Sequence, residues 1–117
     1  MSAGRPRKIP VVFYRTPAGV EVVRDWFRSL DRADRNAVGQ DLMRVQYRWP
    51  IGMPLCRPMG GGLWEVRSAL PSRRIARVLF SVRQGTILLL HGFIKKTPKT
   101  PADILALARK RNREFAP

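Results

Sequence analysis

Between Pro50 and Gly62 the sequence runs PIGMPLCRPMGGG, with three prolines and four glycines in thirteen positions. Proline removes a backbone donor and fixes φ, while glycine raises the entropy lost on ordering, so a loop rather than a regular element is expected here. This stretch separates two kinds of periodicity. Before it, Val20, Val23, Phe27 and Leu30 recur at helical spacing with Trp26 beside them, and Val38, Leu42, Val45 and Trp49 form a second stripe. Thr16 and Pro17 fit the N-cap and first position of the first helix. Asp31 and Asp34 suit the positive end of the second. After the break, residues 63–68 and 74–82 alternate, and 86–93 is nearly continuous in apolar residues, as in a strand buried on both faces. Arg83-Gln84-Gly85 reads as a hairpin turn. Thr100-Pro101-Ala102-Asp103 then carries the signature of a helix start. With the short run Val11–Tyr14 in front, the order is β-α-α-β-β-β-α. We therefore expect an α+β domain over residues 11–117, with a mostly antiparallel sheet, an N-terminal helical hairpin on one face and a C-terminal helix, all preceded by a flexible basic arm at residues 1–10.

Composition narrows the function classes. Cys56 is the only cysteine and His91 the only histidine among 117 residues, which excludes an intrachain disulfide and a Cys/His zinc site. Gly60-Gly61-Gly62 is not followed by the Lys-Ser or Lys-Thr of a P-loop. The basic N-terminus has no apolar signal-peptide core and no apolar run reaches spanning length, so a cytoplasmic domain with no membrane partner is expected. Charge says most. Lys and Arg number 23 against 8 Asp and Glu, a net charge of +15, and 18 of the 23 are Arg. From Leu42 to Ala102 there are eleven basic residues and a single acid, Glu65. Arginine's planar fork matches phosphate oxygens, and a field this one-sided draws in polyanions. Nucleic acid is the first expectation; a solvated basic surface or attraction to anionic lipid is the second.

If Trp64 and Val66 pack under the helices, Glu65, Arg67 and Arg77 share the opposite, open face of the sheet. His91 ends the last strand, with Lys95 and Lys96 just beyond it. A two-metal nuclease needs clustered carboxylates that the basic half lacks, so no metal or other cofactor is expected. Metal-free phosphodiester cleavage needs an internal nucleophile, which RNA carries as its 2′-hydroxyl. A base, an acid and cations around phosphorus complete the requirement. His91 suits either proton role, and Arg67 and Arg77 suit the phosphate clamp. Each residue also has a structural role open to it: Glu65 can neutralise Arg67, His91 can satisfy a backbone group, and the lysines can simply be solvated.

The segments FYRTPAG (13–19), WFRSLD (26–31), IGMPLCRPMGGGLWEVRS (51–68), RIARVLF (74–80), LLHGFIKKTPKTP (89–101) and LALARKR (105–111), taken in order, resemble the RelE/ParE toxin superfamily, and within it the phage-derived HigB-like branch. That resemblance implies a RelE-like fold and the toxin half of a type II toxin–antitoxin pair. The implied activity is an endoribonuclease cutting mRNA in the ribosomal A site, and the implied partner is a HigA-like helix-turn-helix antitoxin. Carried onto this chain, it points to Arg67, Arg77, His91, Lys95 and Lys96; with Glu65 from the shared sheet face, the expected catalytic set is Arg67, Arg77, His91, Lys95 and Glu65. Arg57, Arg73, Arg74, Lys96 and Lys99 are then the expected RNA-binding residues. The C-terminal tyrosine found in several members is absent, so any base stacking must come from elsewhere. ParE-type relatives act on gyrase without cutting RNA, which leaves a gyrase inhibitor or a non-catalytic RNA-binding protein as alternatives.

Overall fold

A computed structural model describes residues 8–115. Its elements are β1 (Val11–Phe13), α1 (Val22–Ser29), α2 (Arg32–Arg48), β2 (Cys56–Gly60), β3 (Leu63–Ala69), β4 (Ile75–Arg83), β5 (Thr86–Ile94) and α3 (Ala102–Glu114). The strands form one sheet in the order β1-β5-β4-β3-β2. The sheet is mixed, not the mostly antiparallel one expected: β1 runs parallel to β5 through Val11–Phe13 beside Ile87–Leu89, while β5, β4, β3 and β2 pair antiparallel. Parallel pairing becomes available because the chain leaves β1 through two helices rather than a tight turn. Of the basic arm expected at residues 1–10, residues 1–7 lie outside the described residues. Ile9 is tied to α2, its N–H donating to the Gln46 carbonyl and its own carbonyl accepting from the Gln46 side chain.

The Pro/Gly-rich stretch is not all loop. Cys56–Gly60 forms β2 on the outer edge of the sheet, where Pro58 can sit without breaking a ladder on both sides, and the register slips between Pro58 and Gly60. Gly60, Gly61 and Gly62 then turn the chain with φ of 91°, 62° and 81°, a left-handed run that side chains disfavour. The carbonyls of Met59 and Gly60 accept bonds from Arg109 of α3, so this turn is a seat for a helix. At the other hairpin, Gln84 and Gly85 both have positive φ, as a two-residue turn between twisted strands requires.

The helices cover both faces of the sheet rather than one. α1 lies against β5 and α2 against β3. There Val23, Val38 and Val45 pack on Val66, Val78, Phe80 and Leu89. Trp49 closes this core edge-on to Trp64 and Phe80, with centroids 4.8 and 5.4 Å away. α3 covers the opposite face, where Ala108 joins Leu63, Leu79, Leu88 and Leu90. Alternation along a strand tells which side chains share a face, but not whether that face is covered. Two expected caps are also used differently. The Thr16 hydroxyl accepts from the Val20 N–H within a turn, and α1 starts only at Val22. The Thr100 hydroxyl caps nothing; it is drawn into a buried ion pair described below.

One irregularity sets up the site. Leu79 pairs with His91 but Phe80 pairs with Leu89, so Leu90 is an extra residue in β5. The bulge lets both Leu90 and His91 face α3: Leu90 fills its core, and His91 bonds to Arg111. Beyond it, Gly92 lies directly under Trp26, where a Cβ atom would come within 2.4 Å of the indole. Only glycine lets α1 approach this closely.

Candidate active site and nucleic-acid interface

The alternation of β3 and β4 puts Glu65 and Arg77 on the α3 side, but the expected open surface is closed over them. They are 2% and 3% exposed. Arg77 Nε lies 3.5 Å from Glu65 Oε1. The Thr100 hydroxyl donates to Glu65 Oε2 and accepts from Arg77 Nη1, and Arg77 Nη2 donates to the Pro98 carbonyl, the latter two at 3.1 Å. Arg77 Nε makes no aligned hydrogen bond. A buried pair of this kind costs much to desolvate and is held by its surrounding bonds. Here those bonds clamp residues 98–100 to the sheet, and with them the segment that carries Lys95, Lys96 and Lys99. Sequence alternation could not reveal Thr100 in this role, because its position before Pro101 reads as a cap.

His91 is half-buried. Arg111 Nη1 lies 3.2 Å from His91 Nδ1 and also donates to the Leu90 carbonyl at 2.8 Å. Arginine can only donate, so Nδ1 accepts and the ring proton resides on Nε2. Burial, and then the Arg111 charge, hold the His91 pKa below its ordinary 6.5, so the ring is uncharged at neutral pH. Phe93 stacks beside it, with centroids 5.9 Å apart and planes 26° from parallel. Arg111 also lies 5.3 Å over the Tyr14 ring. Tyr14 donates to Glu114, and burial followed by that bond raises its pKa above 10.0. The basic end of α3 was legible as charge; its grip on His91 was not, because it spans 20 positions of chain.

At the same end of the sheet, Arg73 and Arg74 in the β3–β4 turn meet Lys95 and Lys96 after β5. Together they line a groove of about 690 Å³ with Ile75 and Pro98. The Lys95 N–H donates to the Ile75 carbonyl at 2.7 Å, extending the β4–β5 ladder by one step and fixing where Lys95 sits. Arg73 has φ of 64°, held by turn bonds between Leu70, Arg73 and Arg74. Arg74 is partly committed elsewhere: Nη2 is 3.1 Å from Asp34 Oδ2 in α2. Bonds from Ser72 and then Arg74 outweigh burial and hold the Asp34 carboxyl below its ordinary range. Arg67 is exposed on β3 opposite Arg77, and Arg57 is exposed on β2 opposite Glu65. Lys99 lines a neighbouring cleft that shares Lys96 with the groove. The ten expected site residues thus divide into a buried support, an uncharged histidine and an exposed basic rim.

Among the described residues no three His, Cys, Asp or Glu side chains gather into a metal-binding group. Cys56 is buried, and its thiol is pushed up to about 12 by burial and then by Asp41, so it is no nucleophile at neutral pH. No helix among the described residues is long and apolar enough to cross a membrane.

A five-stranded mixed sheet with a basic rim and a helix on its polar face defines a small α+β domain. Residues 25–113 match the family described as phage-derived protein Gp49-like, and the chain belongs to that family. The family lies in the RelE toxin–antitoxin superfamily, in which a toxin is paired with an antitoxin. No curated protein matches the sequence.

Proposed function

We propose that this protein is the toxin of a type II toxin–antitoxin pair, close to the HigB-like branch. In this reading it cuts mRNA in the ribosomal A site, in the cytoplasm, without a metal, and a HigA-like helix-turn-helix antitoxin neutralises it. The observation that carries this reading is the placement of an uncharged His91 two alternating positions from Lys95. His91 and Phe93 follow one another on one side of β5 at a step of roughly 7 Å, and Lys95, two residues on and just past the strand's end, lines the basic groove.

An RNA phosphate entering this region meets Arg73, Lys95 and Lys96, with Arg67 on the neighbouring strand. Arg111 turns from His91 toward the phosphate oxygens, and Nδ1 then takes the proton of the 2′-hydroxyl. The 2′-oxygen attacks phosphorus, Arg67 and Arg111 hold the added negative charge, and Lys95 protonates the departing 5′-oxygen. The products are a 2′,3′-cyclic phosphate and a 5′-hydroxyl end. Glu65 and Arg77 act as positioning residues by holding residues 98–100.

Induced expression without antitoxin, followed by mapping of mRNA 5′ ends, tests the reading. Cuts within translated codons that carry 5′-hydroxyl ends are expected. Intact mRNA with inhibited gyrase would instead indicate ParE-like action, and intact mRNA in growing cells a non-catalytic RNA-binding protein. A 5′-phosphate end would require a water nucleophile.

A further inference from the structure

β1 covers β5 only from Ile87 to Leu89, which leaves the outer edge of β5 from Leu90 to Ile94 without a strand. At that edge the first turn of α3 and the middle of α1 stand apart, and a cleft of about 520 Å³ opens between them. Trp26, Phe93 and Ile104 give it apolar and aromatic walls, and Lys96 and Lys99 stand on its rim. Two features tie it to the site above. Ile94, Lys96 and Thr97 line both this cleft and the basic groove, so the two are continuous. Phe93, one wall of the cleft, is stacked on His91.

Aromatic walls beside cations are what an unpaired nucleotide needs: a π-face for the base and positive charge for the flanking phosphates. We propose that this cleft is a subsite for one unpaired nucleotide of RNA, whose base enters between Trp26 and Phe93 while its phosphates lie along Lys99 and Lys96. The inference rests on the RNA-directed reading of the site and deepens it. A base seated there is separated from His91 by a single ring, so the subsite sets which phosphate reaches the imidazole. Trp26 packs directly on Gly92, so the indole is already seated against β5 before RNA arrives.

The test uses a single-stranded hexaribonucleotide with every 2′-hydroxyl methylated, which cannot be cut by internal attack, and one 4-thiouracil for photocrosslinking. Crosslinks to Trp26 or Phe93 are expected. Phe93→Leu, which keeps bulk but removes the π-face, and Lys99→Glu should each weaken binding by about tenfold with melting temperatures close to wild type. Lys110→Glu, on the exposed side of α3, serves as the charge control and should cost much less. Crosslinks confined to other surfaces, such as Met43 and Tyr47 on α2, would overturn the proposal. So would an equal loss in Lys110→Glu, or no binding at low salt. Because the probe is uncleavable and no ribosome is present, the result is independent of nuclease activity. Binding in the cleft with intact cellular mRNA would sink the nuclease reading alone, and cut mRNA without crosslinks in the cleft would sink the subsite alone.

Discussion

The two faces of the sheet come from the same strands yet are built as different kinds of interior. Under α1 and α2 the contacts are hydrocarbon and aromatic: Val23, Val38, Val66, Val78 and Phe80, with Trp49 set edge-on to Trp64. Under α3 the strands bring Glu65, Arg77 and Ser81 into the interior beside Leu63 and Leu79. The first face is mainly hydrophobic burial, worth about 1.5–3 kcal/mol for each large side chain, with the buried Asp34 of α2 paired to Ser72 and Arg74 at its margin. The second must pair the polar groups it buries, and it does so through Thr100, Pro98, Arg111 and Asn112, leaving only Arg77 Nε, 3.5 Å from Glu65, without an aligned hydrogen bond among the described residues. A polar interior is harder to build, and it coincides with the side of the molecule that carries His91 and the basic rim. If the proposed function holds, the contrast is one of purpose: the α3 face supports chemistry and the other supports the fold.

His91 offers the largest test of that division. If it moves the proton, His91→Ala should lower cleavage of translated mRNA by about 10²–10⁴ with little change in melting temperature. His91→Gln should fare no better in rate. Recovery of cleavage in the glutamine variant would make His91 a structural part of the α3 face. The pH profile sharpens the point. A base must be uncharged to work, and the His91 pKa is held below 6.5, so activity should persist to a pH below that value. Arg111→Met removes a nearby positive charge and should move the acid limb of the profile upward. Folding follows the same sign: the unfolded imidazole protonates first, so the contribution of His91 to stability is lost as pH falls below 6.5.

Arg77 comes next. Arg77→Ala leaves Glu65 buried without its cation and should destabilise the fold by about 3–5 kcal/mol in denaturant melts. The pair Arg77→Met with Glu65→Leu, apolar on both sides, should recover most of that stability. If Arg77→Ala were as stable as wild type yet inactive, Arg77 would be a direct RNA contact and the division between support and rim would fail. Arg67 belongs to the rim. Arg67→Glu should lower cleavage by about 10²–10³ while leaving the melting temperature unchanged. Arg74→Ala should show the reverse pattern, because its guanidinium is bound to Asp34.

The smallest effect is expected at Asp34 itself. Its carboxyl pKa is lowered in the folded chain, so its contribution to stability is present above 3.8 and is lost as pH falls through the lowered value. Melting temperatures followed into acid should therefore fall less steeply below pH 3.8 for Asp34→Asn than for wild type. Identical slopes would mean that Arg74 is as free for RNA as Arg73.

Much of this fold is legible in the sequence because periodicity survives folding. Val38, Leu42, Val45 and Trp49 face the sheet as their spacing requires, and Trp64 and Val66 lie opposite Leu63 and Glu65. Other features depend on what the chain meets in space. β2 is hidden by its prolines, which an edge strand tolerates and a central one does not. The burial of Arg77 follows from α3 choosing the second face, and Ile104, Leu105 and Ala108 would look the same on either. The single extra residue at Leu90 shifts the alternation that places His91, and no local pattern announces it. In the candidate site, the basic residues were visible as types; their sorting into clamp, groove and cleft depends on Thr100, Arg111 and Trp26, which carry no signal of that role.

The fastening of α3 has one more consequence. Arg83, Arg109 and Arg111 hold it by donating to main-chain carbonyls of Asn112, Met59, Gly60 and Leu90. A carbonyl is neutral, so each guanidinium is used as a hook without giving up its charge to a carboxylate. The structure is thereby stitched together by cations whose long-range field remains available outside. Mobile ions screen that field within about 10 Å at 0.1 M salt, but they compete poorly for an aligned hydrogen bond. Added salt should therefore loosen the hold on a polyanion well before it loosens the hold on α3.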